Sequence, residues 1–128
     1  MKDYFSKGND FYEKGNYSLA LICYKRDLKT TKDKYSTLYN TGVAYLALNK
    51  YIKAFDIFQN ILNQQIYSSD KEYSDCLYKL GFICIKTMQF KKSRHYLTQF
   101  LCLNEEHEQC KKHLSRIENM IFSKMSAI

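Results

Sequence analysis

Three residues near the C-terminus, His107, Cys110 and His113, are of the types that ligate a transition metal. A zinc site needs nitrogen and sulfur donors converging on one point. The apolar spacing predicts a helix over 105–124. Helical residues three apart share a face, but residues six apart point about 120° away from each other. His107 and His113 therefore cannot both reach one ion from a continuous helix, and no second cluster supplies the missing ligands. No metal and no other cofactor is expected. The five cysteines, Cys23, Cys76, Cys84, Cys102 and Cys110, include no CxxC pair. Neither Cys84 nor Cys102 has a histidine at a spacing that would make it a nucleophile. The chain also lacks GxSxG, HExxH and a glycine-rich phosphate loop. An enzyme is not expected. The odd cysteine number, within apolar-periodic stretches, reads as buried thiols of a reducing compartment such as the cytoplasm.

The elements that carry these residues follow from composition. The chain has 128 residues, no proline and four glycines. That describes one domain built from a nearly continuous succession of helices. Twelve tyrosines and eight phenylalanines, with no tryptophan, supply the bulky contacts. The net charge of +7 is scattered, its densest runs being KTTKDK and QFKKSR near predicted helix ends. Nucleic-acid recognition would need a basic stripe or a recognised motif. The excess instead reads as solvated surface that favours an acidic partner through steering. The longest apolar runs, LALICY and VAYLAL, fall far short of the roughly 20 residues that span a bilayer. The chain reads as soluble, and its end at SKMSAI is compatible with a tail in a longer protein.

The organising feature is a repeat. Gly8, Tyr17, Ala20 and Tyr24 align with Gly42, Tyr51, Ala54 and Phe58, each pair 34 positions apart. Such a period marks a helical repeat array. Apolar periodicity predicts helices over 2–14, 17–30, 34–48, 51–64, 70–87 and 90–103 before the C-terminal one. The second of these should bury Leu19, Ala20, Cys23, Tyr24 and Leu28. Gly8 and Ala20 would let antiparallel helices approach closely. Gly81 lies 39 positions after Gly42, so five extra residues fall within QQIYSSDKEY. They are placed in a longer end of the fourth helix and a lengthened loop around Ser68–Asp70. The third repeat is degraded, with Cys84, Ser93 and Leu97 at aromatic, alanine and aromatic positions. In the last helix Cys110, Leu114, Ile117 and Ile121 form one apolar stripe. It would cap an array whose last repeat otherwise exposes its core.

These residues resemble the tetratricopeptide repeat family. The first repeat supplies Tyr4, Gly8, Phe11, Ala20 and Tyr24, and the second Leu38, Gly42, Tyr45, Ala54 and Phe58. Lys7 and Thr41 depart from the leucine before the glycine. Asp27 and Ile61 stand for the second alanine, and Lys32 and Ile66 for the proline. The resemblance implies an all-α, right-handed superhelix of three helix pairs with a C-terminal capping helix. Its divisions are repeat 1 at 1–34, repeat 2 at 35–68 with a lengthened loop to 73, repeat 3 at 74–104 and the cap at 105–124. It also implies a protein–protein interaction adaptor, with no chemistry, that takes a peptide or partner helix in a concave groove lined by first helices.

Groove positions carried over from the family are Phe5, Asn9, Tyr12 and Glu13; Tyr39, Asn40, Val43 and Leu46; and Tyr78, Lys79, Phe82, Ile85 and Lys86. Of these, Phe5, Asn9, Tyr12, Tyr39, Asn40, Val43, Lys79, Phe82 and Lys86 form the expected contact set. Aromatic side chains would anchor the ligand, asparagines would bond its backbone, and lysines would favour acidic residues at one end. Co-chaperones of this family grip C-terminal carboxylates with two lysines, two asparagines and an arginine. Only Asn9 and Asn40 match that clamp, while Phe5, Asp75 and Lys79 occupy the basic positions. The segment Cys76 to Ile121 is also similar to the C-terminal half of the mitochondrial fission adaptor family, whose members carry a membrane anchor. A fission-type adaptor on the cytosolic face of an organelle, a co-chaperone with a degenerate carboxylate clamp and a self-assembling homo-oligomer are the alternatives these features leave open.

Overall fold

A computed structural model describes residues 2–126; Met1, Ala127 and Ile128 lie outside the described residues. Among the described residues there are seven helices and no strand. They are α1 (Tyr4–Glu13), α2 (Tyr17–Asp27), α3 (Lys34–Ala47), α4 (Tyr51–Asn63), α5 (Asp70–Lys86), α6 (Phe90–Leu103) and α7 (Glu108–Ser126). The chain divides into two compact units, Met1–Tyr67 and Ser68–Ile128.

In the first unit, short polar side chains start three of the four helices. Asp3 accepts from the Ser6 amide at 2.8 Å, Asn16 from Leu19 and Asp33 from Ser36 at 3.1 Å. Each satisfies an amide that the first helical turn leaves without a partner. Gly15 closes α1 with a φ of 80°, a left-handed conformation that costs glycine little. The helices then pack pairwise, α1 on α2, α2 on α3 and α3 on α4.

The contacts explain the repeated glycines and alanines. A Cβ on Gly8 would sit 2.5 Å from the Tyr24 ring, and one on Gly42 would sit 2.6 Å from the Phe58 ring. Ala20, Ala44 and Ala54 are fully buried, and Tyr24 packs with Ala20 and Ala44 beneath Phe5, Phe11, Tyr12 and Leu21. Asp27, at the alanine position, is buried and accepts a 2.6 Å hydrogen bond from the Thr37 hydroxyl. That bond joins the end of α2 to α3 where the family's proline is missing.

The second unit keeps the plan with different atoms. Ser69 caps α5 by accepting from the Glu72 amide at 3.2 Å, and Glu72 accepts from the Ser68 amide at 2.9 Å. Leu97 replaces the aromatic ring over the glycine, 2.5 Å from where a Gly81 Cβ would stand. Ser93 replaces the packing alanine and donates to the Gly81 carbonyl at 2.8 Å, so its hydroxyl is satisfied inside the crossing. On α7, Cys110, Ile117 and Ile121 are buried and Leu114 is half-buried, while α7 packs on α6.

Four expectations need correction. The five extra residues do not lengthen the loop to 73. The segments 28–33 and 64–69 between helices are equal in length, whereas α4 has 13 residues against 11 in α2, and α5 has 17 against 14 in α3. The Ser69 cap and acidic first turn start α5 at Asp70, so the insertion is helical. Leu19 is 40% exposed, because Ala20, Cys23, Tyr24 and Asp27 define the inward face and Leu19 is turned off it. Cys102 is exposed for the same reason, since Ser93, Leu97 and Phe100 set the buried face of α6. Finally, α7 begins at Glu108 rather than 105, and His107 stands before it. The His107 Nδ1 accepts from the Cys110 amide at 3.1 Å, acting as the helix cap.

The would-be metal ligands are therefore packing groups. The His107 ring lies 5.3 Å from Tyr78 and 5.0 Å, edge-on, from Phe100, and the His113 ring lies 6.5 Å from Tyr78. Among the described residues no three histidine, cysteine or acidic side chains gather as a metal site requires. Burial, with Arg116 and His107 adding to it, lowers the pKa of His113. The folded chain thus binds this proton less readily than the unfolded chain. Its stabilising effect is complete above about 6.5, the ordinary imidazole value, and is lost as pH falls from there toward the lowered folded value. The thermal midpoint should drop more between pH 7.5 and 5.5 in the wild type than in His113→Gln. Equal drops would assign the acid sensitivity to other groups.

Candidate functional site

The described residues form a pocket of about 270 Å³ on the first unit, lined by Asn9, Tyr12 and Glu13 of α1, Tyr24 of α2, and Asn40 and Val43 of α3. Positions nine and forty face each other because α1 and α3 are the first helices of consecutive repeats. Their side chains meet directly, the Asn40 Nδ2 donating to the Asn9 Oδ1 at 3.0 Å. The Tyr24 hydroxyl donates to the same oxygen at 2.6 Å. Burial pushes the Tyr24 phenol up to about 12, against the opposing effect of the Asn40 side chain. The phenol is thus a proton donor throughout the neutral range.

Two bonds to one carbonyl oxygen fix the orientation of the Asn9 amide. They leave the Asn9 Nδ2 as a donor and the Asn40 Oδ1 as an acceptor, and among the described residues neither has a hydrogen-bond partner. An asparagine side chain carries two donors and an acceptor with two lone pairs, so real capacity remains. A donor beside an acceptor is the complement of a peptide group. Among the described residues no lysine or arginine lines the pocket, and Glu13 puts a carboxylate at its edge.

Four of the nine expected contact residues, Asn9, Tyr12, Asn40 and Val43, thus come together. Phe5 does not line the pocket; its ring lies 6.2 Å from that of Tyr24 and packs over the core. Tyr39 is directed edge-on to Phe58 at 5.5 Å and stacks on Tyr35 at 5.6 Å. In the second unit Lys79, Phe82 and Lys86 follow helical spacing along α5, with the Lys86 ammonium 5.4 Å above the Phe82 ring. Phe82 is 37% exposed. Tyr78, a further groove position, packs 4.8 Å from Phe100. Sequence reasoning missed the Tyr24 hydroxyl. The available signal was the pair Tyr24 and Phe58, aligned residues that differ by that one oxygen.

The thiols are held away from thiolate chemistry. Burial pushes Cys110 up to about 11 and also raises Cys84, against the opposing charge of Lys92. No helix among the described residues is long and apolar enough to cross a membrane.

No family model and no curated protein matches the sequence. Solved structures do. One is the first TPR of Spaghetti (RPAP3) bound to the HSP90 peptide SRMEEVD, with a TM-score of 0.78 at 18% identity, covering 92% of this chain and 90% of that one. Another is the second TPR domain of human RPAP3 in complex with the HSP70 peptide SGPTIEEVD, with a TM-score of 0.73 at 25% identity, covering 91% and 92%. The Sgt2 TPR domain from Aspergillus fumigatus is similar at a TM-score of 0.76 and 19% identity, covering 96% and 80%. The chain therefore has the all-α fold of a tetratricopeptide repeat domain. The similarity to mitochondrial fission adaptors is carried by none of these matches.

Proposed function

We propose that this chain is a protein–protein interaction adaptor that holds a peptide segment of its partner against α1 and α3. The observation that carries the reading is the fixed Asn9–Asn40 pair, which offers one donor and one acceptor at the floor of a pocket walled by Tyr12 and Val43. A peptide carbonyl would accept from the Asn9 Nδ2 and a peptide amide would donate to the Asn40 Oδ1, while apolar ligand atoms would rest on Val43 and the Tyr12 ring. The similar RPAP3 domains, solved with bound peptides, support the same use of the fold. Their peptides end in EEVD, whereas Glu13 and the missing cations make this pocket a poor receptor for a carboxylate. A backbone segment that is neutral or basic beside Glu13 fits it better.

A peptide selected from a displayed library against the whole chain provides the ligand. Asn40→Ala removes one hydrogen-bonding arm while Asn9 keeps the Tyr24 bond, and Val43→Asp places a charge on the apolar wall. Each should weaken the selected peptide about tenfold, the worth of a hydrogen bond or a small buried contact. Thermal melting should stay close to that of the wild type. Unchanged affinity in both variants would remove the pocket from the function. Tyr39→Ala is unsuitable for this purpose, because its ring supports Phe58.

A further inference from the structure

A second concave surface lies wholly within the second unit, between the α5–α6 turn and the C-terminal turns of α7. It is a cleft of about 440 Å³ walled by Met88, Phe90, Ile121 and Met125. A neighbouring depression of about 340 Å³ adds Met120 beside Met88 and Phe90. Met88 and Met125 are 65% and 64% exposed, so large apolar side chains stand in water here. Methionine is unbranched and polarizable and adapts to varied apolar partners.

The rim carries three cations, Lys91, Lys92 and Lys124, and among the described residues no acidic one lines either depression. None of the three lysines has a carboxylate partner among the described residues, whereas nearby Arg94 pairs with Glu118 at 3.6 Å. Lys124 instead lies 5.4 Å above the Phe90 ring. Lys91 and Lys92 occupy the first turn of α6, where the helix dipole already presents positive charge and acidic residues are preferred. Gln89 provides no capping side-chain bond there. This end of α6 is therefore electrostatically unfavourable until an anion meets it.

Four of the described residues, each just after a helix, are left-handed: Gly15 at φ 80°, Asn49 at 57°, Gln65 at 53° and Met88 at 60°. Glycine and asparagine adopt that conformation readily, but a long side chain does so at a cost.

We propose that this cleft is a docking site for an acidic amphipathic helix of a partner protein. The partner's apolar ridge would enter between Met88, Phe90 and Met125, and its carboxylates would meet Lys91, Lys92 and Lys124, the helix-in-groove mode of recognition. Concavity favours a helical ridge over a flat lipid surface, and apposing two copies of this basic rim would be repulsive.

The test uses the full chain carrying 13C-labelled methionine methyl groups. The probes are a short synthetic amphipathic helix with leucine on one face and glutamate on the other, its lysine counterpart, and vesicles containing phosphatidylserine. The glutamate helix should shift the Met88 and Met125 methyl resonances saturably. Lys91→Glu combined with Lys92→Glu should weaken that binding about tenfold, as should the loss of attraction at high salt. Met88→Gly should bind several-fold more weakly yet melt no lower than the wild type, because it removes strain and side chain together. The proposal is overturned if the glutamate helix gives no saturable shift, or if the lysine helix binds equally well. Response to vesicles alone would make the surface lipid-binding, and concentration-dependent shifts without a probe would make it a contact between copies of the chain.

Discussion

Phe58→Ala should lower the unfolding free energy by about 3–5 kcal/mol, and Gly42→Leu by about 1–3 kcal/mol, yet the two together should cost clearly less than their sum. Phe58 is fully buried and its ring occupies the space a side chain on Gly42 would need. Truncating the ring opens a cavity edged by Tyr39. A leucine alone collides with the ring, since the ring is locked and a Cβ would already be 2.6 Å from it. With both changes present the leucine enters the vacated volume. A total stability of about 5–15 kcal/mol makes either single change a large fraction, readable in urea unfolding. Additive costs would mean that the glycine and the ring do not share one space, and the explanation of the 34-residue pattern by close helix approach would fail.

The second large effect belongs to the turn between α2 and α3. Asp27→Ala should cost about 1.5–3 kcal/mol, the range for a hydrogen bond to a charged group. The hydroxyl of Thr37, a residue only 1% exposed, would then keep only a 3.5 Å approach to the Asp33 carbonyl. Thr37→Val should cost at least as much, because it leaves a buried carboxylate without its donor. Asp27→Leu with Thr37→Val should recover most of the loss, since replacing both partners by apolar groups removes the unsatisfied atoms. The second unit and the next repeat show that this is feasible: Ile61 and Phe100 stand at the positions aligned with Asp27 and both are buried. A double variant as unstable as the worse single one would show that the bond sets the turn rather than merely satisfying its atoms.

The helices were legible because their determinants are local or strictly periodic. Glycine or alanine stands wherever two axes cross closely, and an aspartate, asparagine or serine opens most of the helices. The degraded third repeat still folded to plan because Leu97 and Ser93 meet the same spatial demand as an aromatic ring and an alanine. The part of the insertion that lengthens α4 was legible, but the part at the start of α5 was not, since SSDKEY suits either a loop or a helix start and only the Ser69 cap decides. Within the site, Asn9 and Asn40 were named from the family's groove positions once the 34-residue register was set. The directions of Tyr39 and Tyr78 did not, because each ring turns toward a neighbour on another helix, Phe58 and Phe100. The role of Tyr24 depended on one hydroxyl finding an amide fifteen positions away.

The central claim is that the Asn9–Asn40 pair meets a peptide backbone, and the most direct measurement follows those two side chains. The 15N-labelled chain is titrated with the library-selected peptide while the side-chain amide resonances of both asparagines are recorded. The account predicts that both shift and saturate together, with the Val43 methyl groups moving alongside, at the affinity found by calorimetry. Saturation of other resonances while the Asn9 and Asn40 side-chain amides stay fixed would contradict it.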